Sequence, residues 1–88
     1  MKLVFAGQAW EDYQHWTDTN PKIRARINDI IKQCQRTPFE GVGKPEPLRG
    51  DLKWWWSRRI TQEHRMVYRV VGAASKQHLE IAQLRFHY

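Results

Sequence analysis

The stretch FEGVGKPEPLRG, residues 39–50, divides this chain into two kinds of sequence. Three Gly and two Pro among twelve residues leave no room for a regular helix or a central strand, so a loop is predicted there. Before it, apolar residues recur at helical spacing; after it, the runs are β-prone. Trp10, Tyr13 and Trp16 stand at intervals of three with Glu11, Asp12 and Asp18 between, which predicts an amphipathic helix over residues 8–19. Asn20-Pro21 is a start signal for a second helix, since Asn caps free amide groups and proline's fixed φ suits a first turn. That helix is expected to run to about Arg36 with Ile23, Ile27, Ile30, Ile31 and Cys34 on one buried face. Thr37-Pro38 ends it, because a residue before proline is pushed away from helical angles. KLVF at residues 2–5, LKWWWSRRIT, HRMVYRVV and HLEIAQLRFH read as strands, the last three joined by TQEH and GAASKQ. The fold class that follows is α+β: two N-terminal helices packed on one face of an antiparallel sheet of about four strands.

Eighty-eight residues make a single domain, 1–88, with a modest core. In HRMVYRVV, Met66, Tyr68 and Val70 suit that core and Arg65, Val67 and Arg69 the opposite face. In the last strand Leu79 and Ile81 share parity with His87, a conflict that a β-bulge near Gln83 would resolve by flipping every later side chain. The Trp54–Trp56 run reads first as core and edge packing, with a base-stacking platform as the alternative. Cys34, the single cysteine, excludes an internal disulfide and reads as a small buried core residue. No charged start followed by an apolar h-region is seen, and no run nears the roughly 18 apolar residues that span a bilayer, so neither export by a recognisable signal nor membrane insertion is expected. A cytoplasmic protein without membrane contact is expected.

Charge and residue chemistry narrow the function. Residues 44–76 hold eight Lys/Arg against three Asp/Glu, whereas residues 1–43 hold six against five. Basic side chains interleaved with aromatics suit a polyanion, since cations neutralise phosphates and aromatic faces stack on unpaired bases. His15, His64, His78 and His87 are scattered, none three or four residues from another, so no metal site and no cofactor are expected. Ser57 and Ser75 lack the base that a nucleophilic hydrolase requires. What remains is a carboxylate, several guanidinium groups and an imidazole.

Those groups suffice for cutting RNA, which carries its own nucleophile in the 2′-hydroxyl beside each phosphate. The reaction needs a base for that proton, an acid for the departing 5′-oxygen and fixed cations for the crowded phosphorus. Glu46, in the Pro-flanked KPEPL, is a candidate base. Arg59 and Arg65 are candidate phosphate clamps, because a guanidinium binds two oxygens at once. His87 is the candidate acid. The plainer alternatives are a solvated Glu46, an exposed cationic face of Arg58, Arg59, Arg65 and Arg69, and a frayed terminal His87.

RTPFEGVGKPEPLRGDL, followed by WSRRITQEHRMVYRV and a terminal RFHY, resembles the YoeB toxins of bacterial toxin–antitoxin pairs, within the RelE-like superfamily. The opening MKLVF and the helix pair fit as well, so the similarity covers essentially the whole chain. The resemblance implies a microbial-ribonuclease α+β fold and a ribosome-dependent endoribonuclease that cuts messenger RNA in the A site of the small ribosomal subunit, among ribosomal RNA. It implies silencing by a cognate YefM-type antitoxin, with a homodimer as a further assembly open to the chain. It places the catalytic glutamate on Glu46, the phosphate-binding arginine on Arg65 and the catalytic histidine on His87. Lys44, Arg49 and Arg59 would support substrate binding, and Tyr88 would complete the site. KWWWS and the long Gly72–Gln77 connection depart from the family pattern. Two other functions stay open: a ribonuclease that needs no ribosome, and a non-catalytic inhibitor of translation that binds RNA or ribosomes.

Overall fold

The computed structural model describes residues 1–87. The chain runs β1 (Lys2–Phe5), α1 (Gly7–Thr19), α2 (Pro21–Arg36), β2 (Glu46–Pro47), β3 (Trp56–Arg59), β4 (Arg65–Val71) and β5 (His78–Gln83), with short 3-10 turns at Gly50–Leu52 and Ala74–Lys76. Asn20 caps α2 as its sequence predicts, its Oδ1 accepting from the Ile23 N–H at 3.2 Å with Pro21 opening the first turn. Thr37 closes the same helix. Ile27, Ile30, Ile31 and Cys34 are buried on one face of α2, and Ile23 packs beside them. Burial pushes the Cys34 thiol up to about 11, which makes it an inert core group.

In α1 the buried stripe is Ala9, Asp12 and Trp16, with Tyr13 half-buried and Trp10 at the rim. Asp12, expected among the polar positions, is 3% exposed. Its burial has a reason: it accepts the Leu84 N–H at 3.0 Å and a Gln8 side-chain N–H at 2.8 Å. A buried carboxylate is tolerable when donors replace its water.

The α+β class holds, and the sheet has five strands in the order β1-β5-β4-β3-β2. The additional strand is the two-residue β2, inside the segment expected to be loop, paired antiparallel with β3. The β1–β5 pair is parallel, with Leu3 beside Leu79 and Phe5 beside Ile81. The direction of β5 is set by its antiparallel pairing with β4, and β1 joins its other edge running the same way, so the sheet is mixed rather than wholly antiparallel. The β3 strand is shorter than LKWWWSRRIT suggests, because a 3-10 turn and a left-handed Trp54 (φ 83) interrupt the extended run. Trp54 is 77% exposed, Trp55 lies under the Arg69 guanidinium at 4.4 Å, and Trp56 packs against Phe39 and the core.

Both helices cover one sheet face, where Met66, Tyr68, Leu79 and Ile81 meet Trp16, Ile27 and Ile30. Each such side chain contributes roughly 1.5–3 kcal/mol by leaving water. The expected bulge is present: Val67 pairs with Gln83 but Tyr68 pairs with Ile81, leaving Ala82 as the extra residue of β5. It returns Leu84 to the core face at 0% exposure and turns the chain end out of the sheet. Among the described residues no helix is long and apolar enough to cross a membrane.

Candidate active site

Strand register decides which side chains can meet. Glu46 lies beside Ser57, Ser57 beside Val67, and Arg59 beside Arg65. Directly paired residues project to one side of a sheet, and alternate residues along a strand share it. Glu46, Ser57, Arg59, Arg65 and Val67 therefore occupy the face away from the helices. Ser57 (1% exposed) and Val67 (2%) form its closed floor, while Glu46 and Arg59 stand in solvent at its edge.

Gly43, Lys44, Glu46, Ser57, Arg59 and Arg65 line a hollow of about 50 Å³ on this face. That is room for the oxygens of a phosphate rather than for a nucleotide, whose sites run to several hundred Å³. A second hollow of about 600 Å³ adjoins it, lined by Glu46, Pro47, Leu48, Arg49 and Leu52. Glu46 is the residue common to both. Arg49 thus lies on the far side of Glu46 from Lys44, Arg59 and Arg65.

Backbone constraints hold the cationic wall. The Gly43 carbonyl accepts the Arg59 N–H at 2.6 Å, and Gly43 has φ 85. A side chain there would also press on the Arg59 carbonyl at 3.0 Å and the Arg58 Cβ at 3.2 Å, so this position requires glycine. Lys44 follows with φ 51, a left-handed conformation that a lysine adopts at a cost of about 1–3 kcal/mol and that aligns it with the end of β3. Arg65 Nη1 donates to the carbonyls of Thr61 (2.8 Å), Gln62 (3.2 Å) and His64 (3.3 Å), which anchors its guanidinium over the β3–β4 turn.

Of the four arginines read as one cationic face, one lies on the opposite face and another is already ion-paired. Arg58 is fully buried on the core face, donating to the carbonyls of Thr37, Glu40 (2.8 Å) and Val42 (3.2 Å) and to the Tyr68 hydroxyl (3.3 Å). It therefore organises the start of the loop that carries Lys44 and Glu46. Arg69 is paired with Glu80 at 3.0 Å.

The chain end is bonded in place. Leu84 donates its N–H to Asp12 and its carbonyl accepts from Trp16 Nε1 at 2.9 Å; the Arg85 carbonyl accepts from Gln83 at 2.9 Å. Phe86 gives its N–H to His64 Nδ1 at 2.8 Å and its carbonyl accepts the Arg65 N–H at 3.1 Å. His87 is exposed and follows directly on the residue bonded to Arg65, without lining the small hollow. Tyr88 lies outside the described residues. Sequence reading missed Asp12 and His64 as anchors of this end; the one available signal was that Asp12 stands four residues before Trp16, on the same helix face. Among the described residues no group of three or more His, Cys, Asp or Glu side chains is placed to hold a metal ion.

Known proteins share this arrangement of chain. The family model for the YoeB-like toxin of bacterial type II toxin–antitoxin systems matches residues 5–88. Toxin YoeB of Escherichia coli O6:H1 (strain CFT073) is 51% identical over 88 residues, covering all of both chains. The solved YoeB/ParE toxin from Agrobacterium tumefaciens superposes with a TM-score of 0.97 at 56% identity, again over both full chains. Staphylococcus aureus YoeB has been solved as a dimer (TM-score 0.86, 37% identity) and in complex with YefM (0.88, 39%), each match covering 100% of this chain and 98% of the other. With a family match from Phe5 to the last residue and half of all positions shared with a full-length relative, the chain belongs to the YoeB toxins of bacterial type II toxin–antitoxin systems.

Proposed function

We propose that this toxin is an endoribonuclease that cleaves messenger RNA in the ribosomal A site. The observation that carries the reading is the hollow in which Lys44, Arg59 and Arg65 stand around Glu46 on the helix-free face of the sheet. Three cations around a phosphate-sized space suit a scissile phosphate, and a carboxylate at its rim suits a proton acceptor. Glu46 takes the proton of the 2′-hydroxyl as that oxygen bonds to phosphorus. Arg65, with Lys44 and Arg59, neutralises the charge that builds on the phosphate oxygens. The P–O5′ bond breaks, and His87 gives its proton to the leaving 5′-oxygen. The products are a 2′,3′-cyclic phosphate and a 5′-hydroxyl. A base and an acid each contribute about 10²–10⁴ in rate.

The larger hollow beyond Glu46, with Arg49 at its edge, has the size of a nucleotide site and would take the residue next to the scissile bond. Tyr88, the neighbour of His87, would close the site from the chain end. The excess of eight basic over three acidic side chains in residues 44–76 suits docking among ribosomal RNA phosphates. The same field suits an acidic antitoxin segment, and a YefM-type protein is the proposed inhibitor by likeness to the Staphylococcus aureus complex. By the same likeness a homodimer is the proposed assembly of the free toxin, and the bacterial cytoplasm its place of action.

The test is to map RNA ends after incubation with translating ribosomes and, separately, with naked RNA. Cuts confined to ribosome-bound message, with cyclic phosphate and 5′-hydroxyl ends, are expected. Equal cutting of naked RNA would replace the reading with a free-standing ribonuclease. Halted translation over intact RNA would replace it with a binding inhibitor.

A further inference from the structure

The hydrogen bonds of Leu84 and Phe86 lead to two places: helix α1, through Asp12 and Trp16, and the turn before β4, through His64 and the Arg65 N–H. The segment ends in a left-handed Phe86 with φ 61, a conformation unfavourable for a bulky aromatic residue. Phe86 is 58% exposed and its ring touches only the Arg85 guanidinium at 4.6 Å and the His64 ring among the ring contacts of the described residues. Its two peptide hydrogen bonds tie the backbone there. The His64 ring stands between Trp16 (centroids 4.8 Å) and Phe86 (5.6 Å), which fixes the plane in which Nδ1 accepts.

We infer that His64 is a positioning residue for the proposed reaction: its neutral imidazole, held by Trp16, pins the left-handed turn at Phe86 and thereby sets where His87 stands relative to Arg65. The inference rests on the reading of His87 as the acid. A general acid must lie within hydrogen-bond reach of the leaving oxygen, and a displacement of about 1 Å costs on the order of 10²-fold in rate. A chain end free to pivot would lose that placement.

The latch depends on protonation. Nδ1 accepts only as a lone pair, so the proton of neutral His64 sits on Nε2. The charged and titratable groups around the ring are Glu63 on its own turn, His15 from α1, and Arg85 and His87 from the chain end, with the Arg65 guanidinium bonded to the His64 carbonyl beside it. Burial, reinforced by Arg85, His15 and His87 against the opposing Glu63, holds His64 below its usual 6.5. The ring is therefore neutral near pH 7, and protonation at lower pH puts on Nδ1 a proton that faces the Phe86 N–H and breaks the bond.

Two substitutions separate positioning from bulk. His64→Phe keeps a ring between Trp16 and Phe86 but removes the acceptor. His64→Asn keeps an acceptor at the place of Nδ1 and removes the titration. Hydrogen exchange of the Phe86 amide, followed by NMR from pH 5 to 8, reads the latch directly; single-turnover cleavage on ribosomes reads its consequence. In His64→Phe, Phe86 exchange should quicken at least tenfold and cleavage should fall about 10–100-fold, with the melting temperature and ribosome binding little changed. In His64→Asn, Phe86 should stay protected and cleavage should persist, both with a weaker loss at low pH than the parent. Unchanged Phe86 exchange in His64→Phe, or equal impairment of the two variants, would overturn the inference. Because exchange is measured without RNA, a parent protein that fails to cleave counts against the ribonuclease reading and leaves the latch to be judged by Phe86 protection.

Discussion

Arg58 and Arg59 are sequence neighbours with opposite fates, and substituting each by Met should separate stability from activity. Arg58 is 0% exposed and holds three loop carbonyls and the Tyr68 hydroxyl, while Arg59 stands in solvent at the rim of the candidate site. Hydrogen bonds to a charged donor are worth about 1.5–3 kcal/mol each, but simple addition overstates the loss. In Arg58→Met the Thr37, Glu40 and Val42 carbonyls are in an exposed loop and regain water, and Tyr68 keeps its bond to the Pro38 carbonyl at 2.6 Å. Because water restores the loop carbonyls and Tyr68 stays bonded, the loss is that of charge-assisted bonds and loop order rather than of a stranded charge, about 1–3 kcal/mol out of the roughly 5–15 kcal/mol that a domain has. At about 4–8 °C per kcal/mol for a domain of this length, the melting temperature should drop by at least about 4 °C. Arg59→Met should stay within about 0.5 kcal/mol of the parent while losing cleavage. Thermal melts by circular dichroism, with urea titrations as a check, measure both. Equal melting temperatures for the two variants would refute the assignment of Arg58 as the post that organises the loop.

Other consequences are as direct. Arg65→Ala and His87→Gln should each remove most cleavage in a ribosome assay while ribosome binding persists; Glu46→Ala should be milder where water accepts the proton. Arg65→Ala should also lower the melting temperature slightly, since its Nη1 caps the carbonyls of the β3–β4 turn. Gly43→Ala forces a Cβ against the Arg59 carbonyl at φ 85 and should cost about 1–3 kcal/mol with reduced cleavage, read by a urea melt beside the activity assay. Cys34, buried with its thiol raised to about 11, should resist a thiol reagent in the native protein and react on unfolding, so labelling at pH 8 with and without urea checks its place in the core.

The elements legible in the sequence are those whose signals are local. The α2 helix followed from one cap, one proline and a stripe of four isoleucines and a cysteine, all within a single helical segment. The bulge in β5 followed from a parity conflict between Ile81 and later residues, because side-chain alternation is a property of one strand. Glu46 and Arg65 drew notice for chemistry that their residue types carry wherever they stand. The small β2 strand escaped detection because two residues in a Gly- and Pro-rich stretch carry no period; pairing with Ser57 and Trp56 makes them a strand.

What a charged or polar side chain does depends on which distant segment it meets, and alternation along one strand does not say. Arg58 and Arg59 look alike in WSRR, yet one lies on the core face beneath a loop sixteen to twenty-one residues earlier. Asp12 is polar on a helix until Leu84, 72 positions later, brings it a buried amide. The chain end reads as a tail until Asp12, Trp16, His64 and Arg65 bond it. The sequence by itself determined the two helices, the strand-rich second half and the kinds of groups available for chemistry, because these rest on local spacing and on side-chain identity. The tertiary structure alone decided the parallel β1–β5 pair, the burial of Arg58 and Asp12, and the attachment of the chain end beside Arg65, because each is a meeting of segments far apart along the chain.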